Sequence, residues 1–197
     1  MTSDHGEEFG ERGSWGHAHT LYAEQLRVPL IISGEGMPKG RVVSEAVGLQ
    51  DIGPTVSSWV GQSLPSADGL DLNPALNGVE VPKRAFPAET FRFKTRRISL
   101  YENGKRIEWD LRKRKIELFD SDNDVFEVND IAKTDKDSAR ALQRRAEEVF
   151  GQPWEATADG TVQVTKGVVL SKGARSKRKV KAGQQFQVLP YLSLIHI

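Results

Sequence analysis

An α/β chain in two unequal parts is the fold class that this sequence predicts, and three observations carry that reading. The first is a short, β-rich apolar run, Val28-Pro29-Leu30-Ile31-Ile32, followed after a loop by the helix-opening string Asp51-Ile52-Gly53-Pro54-Thr55. The second is an Asn103-Gly104 pair between alternating runs, the strongest short hairpin signal, because both residues tolerate positive φ. The third is a stretch from Asp135 to Phe150 that lines Ala139, Leu142, Ala146 and Val149 along one helical face. Residues 1–82 form the larger part on this reading, and residues 83–150 a small antiparallel sheet with a packing, closing helix.

The elements follow in order. Residues 4–19 mix glycine and histidine with acids, a composition that suits a ligand-lining loop. Leu21 to Leu26 can make a helical turn, and Val28 to Ile32 reads as a buried strand with proline near its start. Val42 to Leu49 is expected to be extended, with Asp51 capping a helix that runs to about Val60 and loops from Pro65 to Pro82. Arg97 to Tyr101, Arg106 to Leu111 and Lys115 to Phe119 read as strands, and Thr134 with Asp137 as a capping box for the last helix. Residues 151–191 are a basic tail or a small β unit, and the sequence does not choose between them. Residues 192–197 match a translated sequencing-adapter sequence and are set aside, so His196 is no ligand candidate.

Bulk properties bound the function. The 197 residues are 38% hydrophobic, enough for one ordinary domain or for one core with a smaller appended unit. Lys+Arg 28 against Asp+Glu 27 leaves a formal charge of +1, so no global electrostatic commitment to nucleic acid or an anionic membrane exists. With no cysteine, disulfides, thiolate metal sites and a cysteine nucleophile are excluded from these residues. No apolar stretch approaches membrane-spanning length, and Met1 to His5 is too polar for a secretory signal.

The chemistry concentrates at the start. Asp4 and His5 are adjacent and followed by Gly6, in a loop that also holds Glu7, Glu8, His17 and His19. A carboxylate favours a hard cation such as Ca²⁺ or Mg²⁺, and an imidazole beside it raises the odds of Mn²⁺ or Zn²⁺.

The longer strings narrow this. Thr2 to Glu11, with its Ser3-Asp4-His5-Gly6, then Trp15 to Tyr22, then Leu26-Arg27-Val28-Pro29-Leu30-Ile31-Ile32 resemble the second conserved block of sulfatases. Gly48 to Thr55 and Asp68-Gly69-Leu70-Asp71-Leu72 resemble the segments that follow it, and Ile116 to Asp120 with Glu127-Val128-Asn129 resemble the family's small carboxy-terminal sheet. The resemblance covers about residues 2–150 and implies the carboxy-terminal part of an alkaline-phosphatase-like α/β/α sandwich: residues 1–82 in the catalytic domain, 83–150 in the subdomain.

It also implies roles. Asp4 and His5 occupy the positions that complete a divalent cation site, with Ca²⁺ the first expectation and Mn²⁺ or Zn²⁺ the alternatives. His17 and His19 are the candidates for the basic residue that touches the ester or its leaving oxygen. The family's formylglycine nucleophile arises from a Cys/Ser-x-Pro-x-Arg string, which this chain lacks; Ser63-Leu64-Pro65-Ser66-Ala67 ends in alanine where arginine is required. The chain is therefore expected to be a fragment, inactive alone, of a sulfuric ester hydrolase whose nucleophile lies upstream. Its substrate would be a small-molecule or carbohydrate sulfate ester, with no nucleic-acid partner, and the resemblance suggests a periplasmic or extracellular setting. Arg27 is read as a structural ion pair and Asp51 as a helix cap, not as catalytic residues.

Two rivals stay open. One is a phosphodiesterase or a phosphoglycerol- or phosphoethanolamine-type transferase of the same superfamily, with a threonine or serine nucleophile. The other is a non-catalytic binding protein using Lys172, Arg175, Lys177, Arg178, Lys179 and Lys181, which lack the interleaved aromatics that stack bases.

Overall fold

A computed structural model describes residues 1–65, 67–92 and 96–150; the segments 151–191 and 192–197 lie outside the described residues. Two-residue strands β1 (Glu8–Phe9) and β2 (Trp15–Gly16) pair antiparallel, followed by α1 (Ala23–Leu26). A 3₁₀ turn (Leu49–Asp51) runs into α2 (Ile52–Trp59), and α3 (Asn73–Leu76) follows. The four-stranded antiparallel meander β3 (Phe86–Thr90), β4 (Arg97–Glu102), β5 (Lys105–Asp110) and β6 (Lys115–Asp120) then leads to α4 (Lys136–Phe150).

The meander follows directly from alternation along its strands. Ile98 and Leu100 of β4, Ile107 of β5 and Leu118 of β6 are fully buried and meet Leu142, Ala146 and Phe150 of α4, with Trp109, Ile116, Ala139 and Val149 packed around them. Asn103 and Gly104 turn the β4–β5 hairpin with φ of 52° and 78°, which is why that pair marked the turn. Ile131 N–H donates to the Leu118 carbonyl (2.8 Å), and Leu118 N–H to Asp130 Oδ1 (3.1 Å), so the outer edge of β6 is partly covered.

Several expectations need correction. Val28 to Ile32 is not a strand: among the described residues its sole ladder-type pairing is between Ile31 and Met1, and Ile31 is 52% exposed. A strand needs neighbours on which to spend its backbone groups, and among the described residues only Met1 reaches it. Val42 to Gly48 is irregular too. Asp51 does not cap α2 with its side chain. Fully buried, it accepts from Gly48 N–H (2.8 Å) and Leu70 N–H (2.8 Å) and pairs with Arg84, tying the 3₁₀ turn to the 70–84 segment. Gly69 is needed there, because a Cβ would run into the Gln50 carbonyl. At α4 the cap is Asp135, whose Oδ1 accepts from Ser138 N–H (3.1 Å), while Thr134 turns back to the Ile131 carbonyl. Among the described residues Arg27 makes no ion pair; its Nη1 donates to the Ser121 carbonyl (3.2 Å).

The opposite face of the meander is polar, and it receives the segment after the histidine loop. Tyr22 Oη donates to Glu117 (2.7 Å), Leu21 N–H to Glu108 Oε1 (3.3 Å), and Thr90 Oγ1 to the Ala18 carbonyl (2.7 Å). Arg97 bridges Glu108 (2.7 Å) and Asp110 (3.2 Å).

Burial pushes the Glu108 carboxyl up from its ordinary 4.5 to about 7 despite Arg97, because Oε2 has no partner among the described residues. The folded state then holds a proton that the unfolded chain releases. That contribution is complete below about 4.5 and lost as pH rises to about 7, amounting to about 3 kcal/mol at most. Urea unfolding of the chain and of Glu108→Gln across this window should show their stability difference changing with pH in that sense. A difference constant from pH 4.5 to 7 would contradict the assignment.

Candidate active site

The loop that holds the candidate residues is fixed by close backbone contacts. Gly6 N–H donates to the Gln25 carbonyl (2.8 Å), and a Cβ at Gly6 would collide with the Glu24 carbonyl, so only glycine lets the Asp4-His5 pair lie this near α1. Arg12 fastens the loop to the rest. Its Nε pairs with Glu24 (2.7 Å), its Nη2 donates to the carbonyls of Phe126 (3.0 Å) and Glu127 (2.9 Å), and its guanidinium lies 3.7 Å above the Tyr22 ring.

Asp4 and His5 face a common spot, with Asp4 Oδ2 3.7 Å from His5 Nε2. The Asp4 side chain is 88% exposed, and backbone N–H groups, that of His5 first (3.1 Å) and then its own, hold its carboxyl below the usual range. His5 Nδ1 lies 2.7 Å from the Gly6 carbonyl, which can only accept, so Nδ1 carries the hydrogen and Nε2 keeps its lone pair. That is the tautomer a metal ligand needs, set by the bond at the other nitrogen. One carboxylate and one imidazole lone pair therefore fit a divalent cation. Among the described residues no three histidine, aspartate or glutamate side chains converge as a cage.

His17 and His19 do not share an environment. The His17 ring lies 4.3 Å from that of His5, and its Nδ1 contacts Glu7 at 3.1 Å. His19 turns away: Nε2 meets Glu8 Oε2 (3.0 Å) and Ser14 Oγ (2.8 Å), and Nδ1 meets the His17 carbonyl (3.0 Å). Ala18, between them, is fully buried at φ 71°, a left-handed conformation unusual for a residue with a Cβ. Ala18 N–H donates to Gln25 Oε1 (3.0 Å), and its carbonyl accepts from Thr90. The fold thus imposes the reversal that parts the two histidines.

Glu8 is fully buried beneath this turn. Burial drives its carboxyl upward, but bonds from Thr20, Gln25 (2.9 Å) and His19 outweigh that and leave it below the ordinary value. Thr20, Gln25 and Thr90 carried no signal as site residues. Gln25 reads as one polar residue of a short helix, and Thr90 lies 72 residues from its partner. An apolar cavity of about 320 Å³ elsewhere, walled by Leu30, Ile32, Met37, Val43 and Leu72, includes none of these residues.

A sulfatase family model matches residues 1–62, the segment that carries Asp4, His5, His17 and His19. That segment is similar to the sulfatase family. Over 76 residues it is 44% identical to the low-salt glycan biosynthesis sulfotransferase Agl7 of Haloferax volcanii, covering 36% of this chain and 19% of that protein. Over 82 residues it is 40% identical to the choline-sulfatase of Rhizobium meliloti, covering 40% of this chain and 16% of that enzyme. The chain spans less than a fifth of the length of either curated relative. Among solved structures, BT4656 in complex with its substrate D-glucosamine-2-N,6-O-disulfate superposes with a TM-score of 0.64 at 25% identity, over 77% of this chain and 33% of that one. The α/β fold of the described residues is that of a sulfatase.

Proposed function

We propose that this chain is the carboxy-terminal portion of a sulfuric ester hydrolase, in which Asp4 and His5 complete a divalent cation site and the His17–His19 loop borders the ester. The observation that carries the reading is the paired placement of the Asp4 carboxylate and the His5 Nε2 lone pair, inside the one segment that the sulfatase family model covers. Ca²⁺ is the first expectation and Mn²⁺ or Zn²⁺ the alternatives, since the imidazole moves the pair toward softer ions. The cation, when bound, neutralises and polarises sulfate oxygens, and a formylglycine supplied by the upstream part of the enzyme provides the nucleophile.

This chain's own residues do the rest. Asp4 brings negative charge to the cation, and the Gly6 carbonyl keeps His5 in its ligating tautomer. Gly6 and Arg12 hold the loop rigid enough for these groups to stay in place. Beside them the histidine loop offers a hydrogen-bond donor to an anionic oxygen or to the departing alcohol. A sulfated sugar or small alcohol ester is the substrate class this reading supports, because the compared proteins are a choline-sulfatase and a structure holding a disulfated glucosamine.

Two assays test it together. The full-length enzyme should hydrolyse an aryl sulfate, and the 197-residue chain alone should release no alcohol above a heat-killed control, because it offers two cation ligands and no formylglycine precursor. Turnover by the chain alone, or none by a metal-loaded full-length enzyme, would overturn the assignment.

A further inference from the structure

We propose that Glu8 is a positioning residue that keeps His19 turned into the fold, leaving His17 as the one histidine of the pair that meets the ester. The inference rests on the reading above and sharpens it by dividing two residues that the sequence treats alike.

The argument begins with acceptors. Nδ1 of His19 lies against a backbone carbonyl and Nε2 against a carboxylate oxygen, so each ring nitrogen is engaged by an acceptor belonging to the protein. A group that delivers a proton to a leaving oxygen must point a nitrogen at the substrate, and His19 points both elsewhere. His17 differs. Its Nδ1 is engaged by Glu7, its ring lies beside that of His5, and its side chain is 35% exposed.

Glu8 is what makes the arrangement of His19 stable. A buried carboxylate is tolerated only where its oxygens are satisfied, and Glu8 accepts from Thr20, from Gln25 and from His19. Gln25 also accepts from the N–H of Ala18, so Glu8, Gln25 and the left-handed turn form one connected unit. Losing Glu8 would release the His19 ring and loosen the turn that presents His17. The effect on the reaction is then indirect, arising from misplacement.

The test uses ring ¹⁵N spectra and leaving-group dependence. With ¹⁵N-histidine in the full chain, the His19 Nε2–H resonance should be present and protected from exchange, and Glu8→Gln should shift it or broaden it away. In the full-length enzyme, Glu8→Gln and His19→Gln should each lower kcat about 10–100-fold, by equal factors for aryl sulfates with good and poor leaving groups, with the double variant no worse than either single one. His17→Gln should cost about 10²–10⁴-fold, most of it on the poor leaving group. A leaving-group-dependent loss in His19→Gln, or His19 ring signals unmoved by Glu8→Gln, would overturn the proposal. The spectra need no turnover, so they still judge the positioning role if the enzyme proves not to be a sulfatase.

Discussion

In the full-length enzyme, replacing Asp4 by alanine is expected to abolish both turnover and metal retention. The Asp4 carboxylate is exposed, held in its charged form by the His5 N–H, and accompanied by a histidine nitrogen whose lone pair is free to bind. Among the described residues its hydrogen-bond partners are Ser3 and His5, so its removal should leave folding intact while removing a charged ligand. Loss of a cation that stabilises developing charge forfeits several kcal/mol of barrier reduction, a factor of at least about 10³ in kcat. Asp4→Asn retains an oxygen donor without charge and should keep part of the metal affinity at raised cation concentration. Elemental analysis of the purified variants alongside aryl sulfate rates separates these outcomes. Full activity with a full metal complement in Asp4→Ala would remove Asp4 from the site.

The second large effect concerns stability. Glu127→Ala should destabilise the chain by about 3–5 kcal/mol, through removal of one partner from a buried charge pair. Glu127 is fully buried, accepts from Ala23 N–H (2.9 Å) and Ser121 Oγ (2.8 Å), and forms an ion pair with Arg106, its Oε1 lying 2.8 Å from Nε. Its replacement strands a guanidinium whose side chain is only 10% exposed and unseats the start of α1 from the sheet. For a chain of this size the loss corresponds to a fall in Tm on the order of 10 °C, read by the tryptophan signal during thermal unfolding. Glu127→Gln keeps an acceptor for the Ala23 amide and should fall between. A shift under about 1 kcal/mol in Glu127→Ala would show that this junction does not hold the loop to the sheet.

The parts of the molecule legible in sequence are those whose signals are local. Strands β4 to β6 announce themselves by alternation, their hairpin by Asn103-Gly104, and α4 by the spacing of Leu142 and Ala146. Ends of elements were less legible, because Asp135 and Thr134 are both good caps and only the position of Lys105 and Ser138 selects the former. The run from Val28 to Ile32 has strand composition, but composition cannot supply the neighbours a strand requires. In the loop, the motif singled out Asp4, His5, His17 and His19 as residue types in order. It could not tell that Ala18 would adopt φ 71° and send the two histidines to different surroundings, since that turn depends on Gln25 and on Thr90 from β3. Glu8 looked like one acid among several, and its burial under Thr20 and Gln25 exists only in three dimensions.

Anomalous diffraction from crystals of the full-length enzyme equilibrated with Mn²⁺ is the most direct test of the central claim, because it locates the cation without reference to activity. The account predicts a peak within coordinating distance of the Asp4 carboxylate and on the Nε2 side of the His5 ring, lost in Asp4→Ala. A peak elsewhere, with Asp4 and His5 left in solvent, would contradict it.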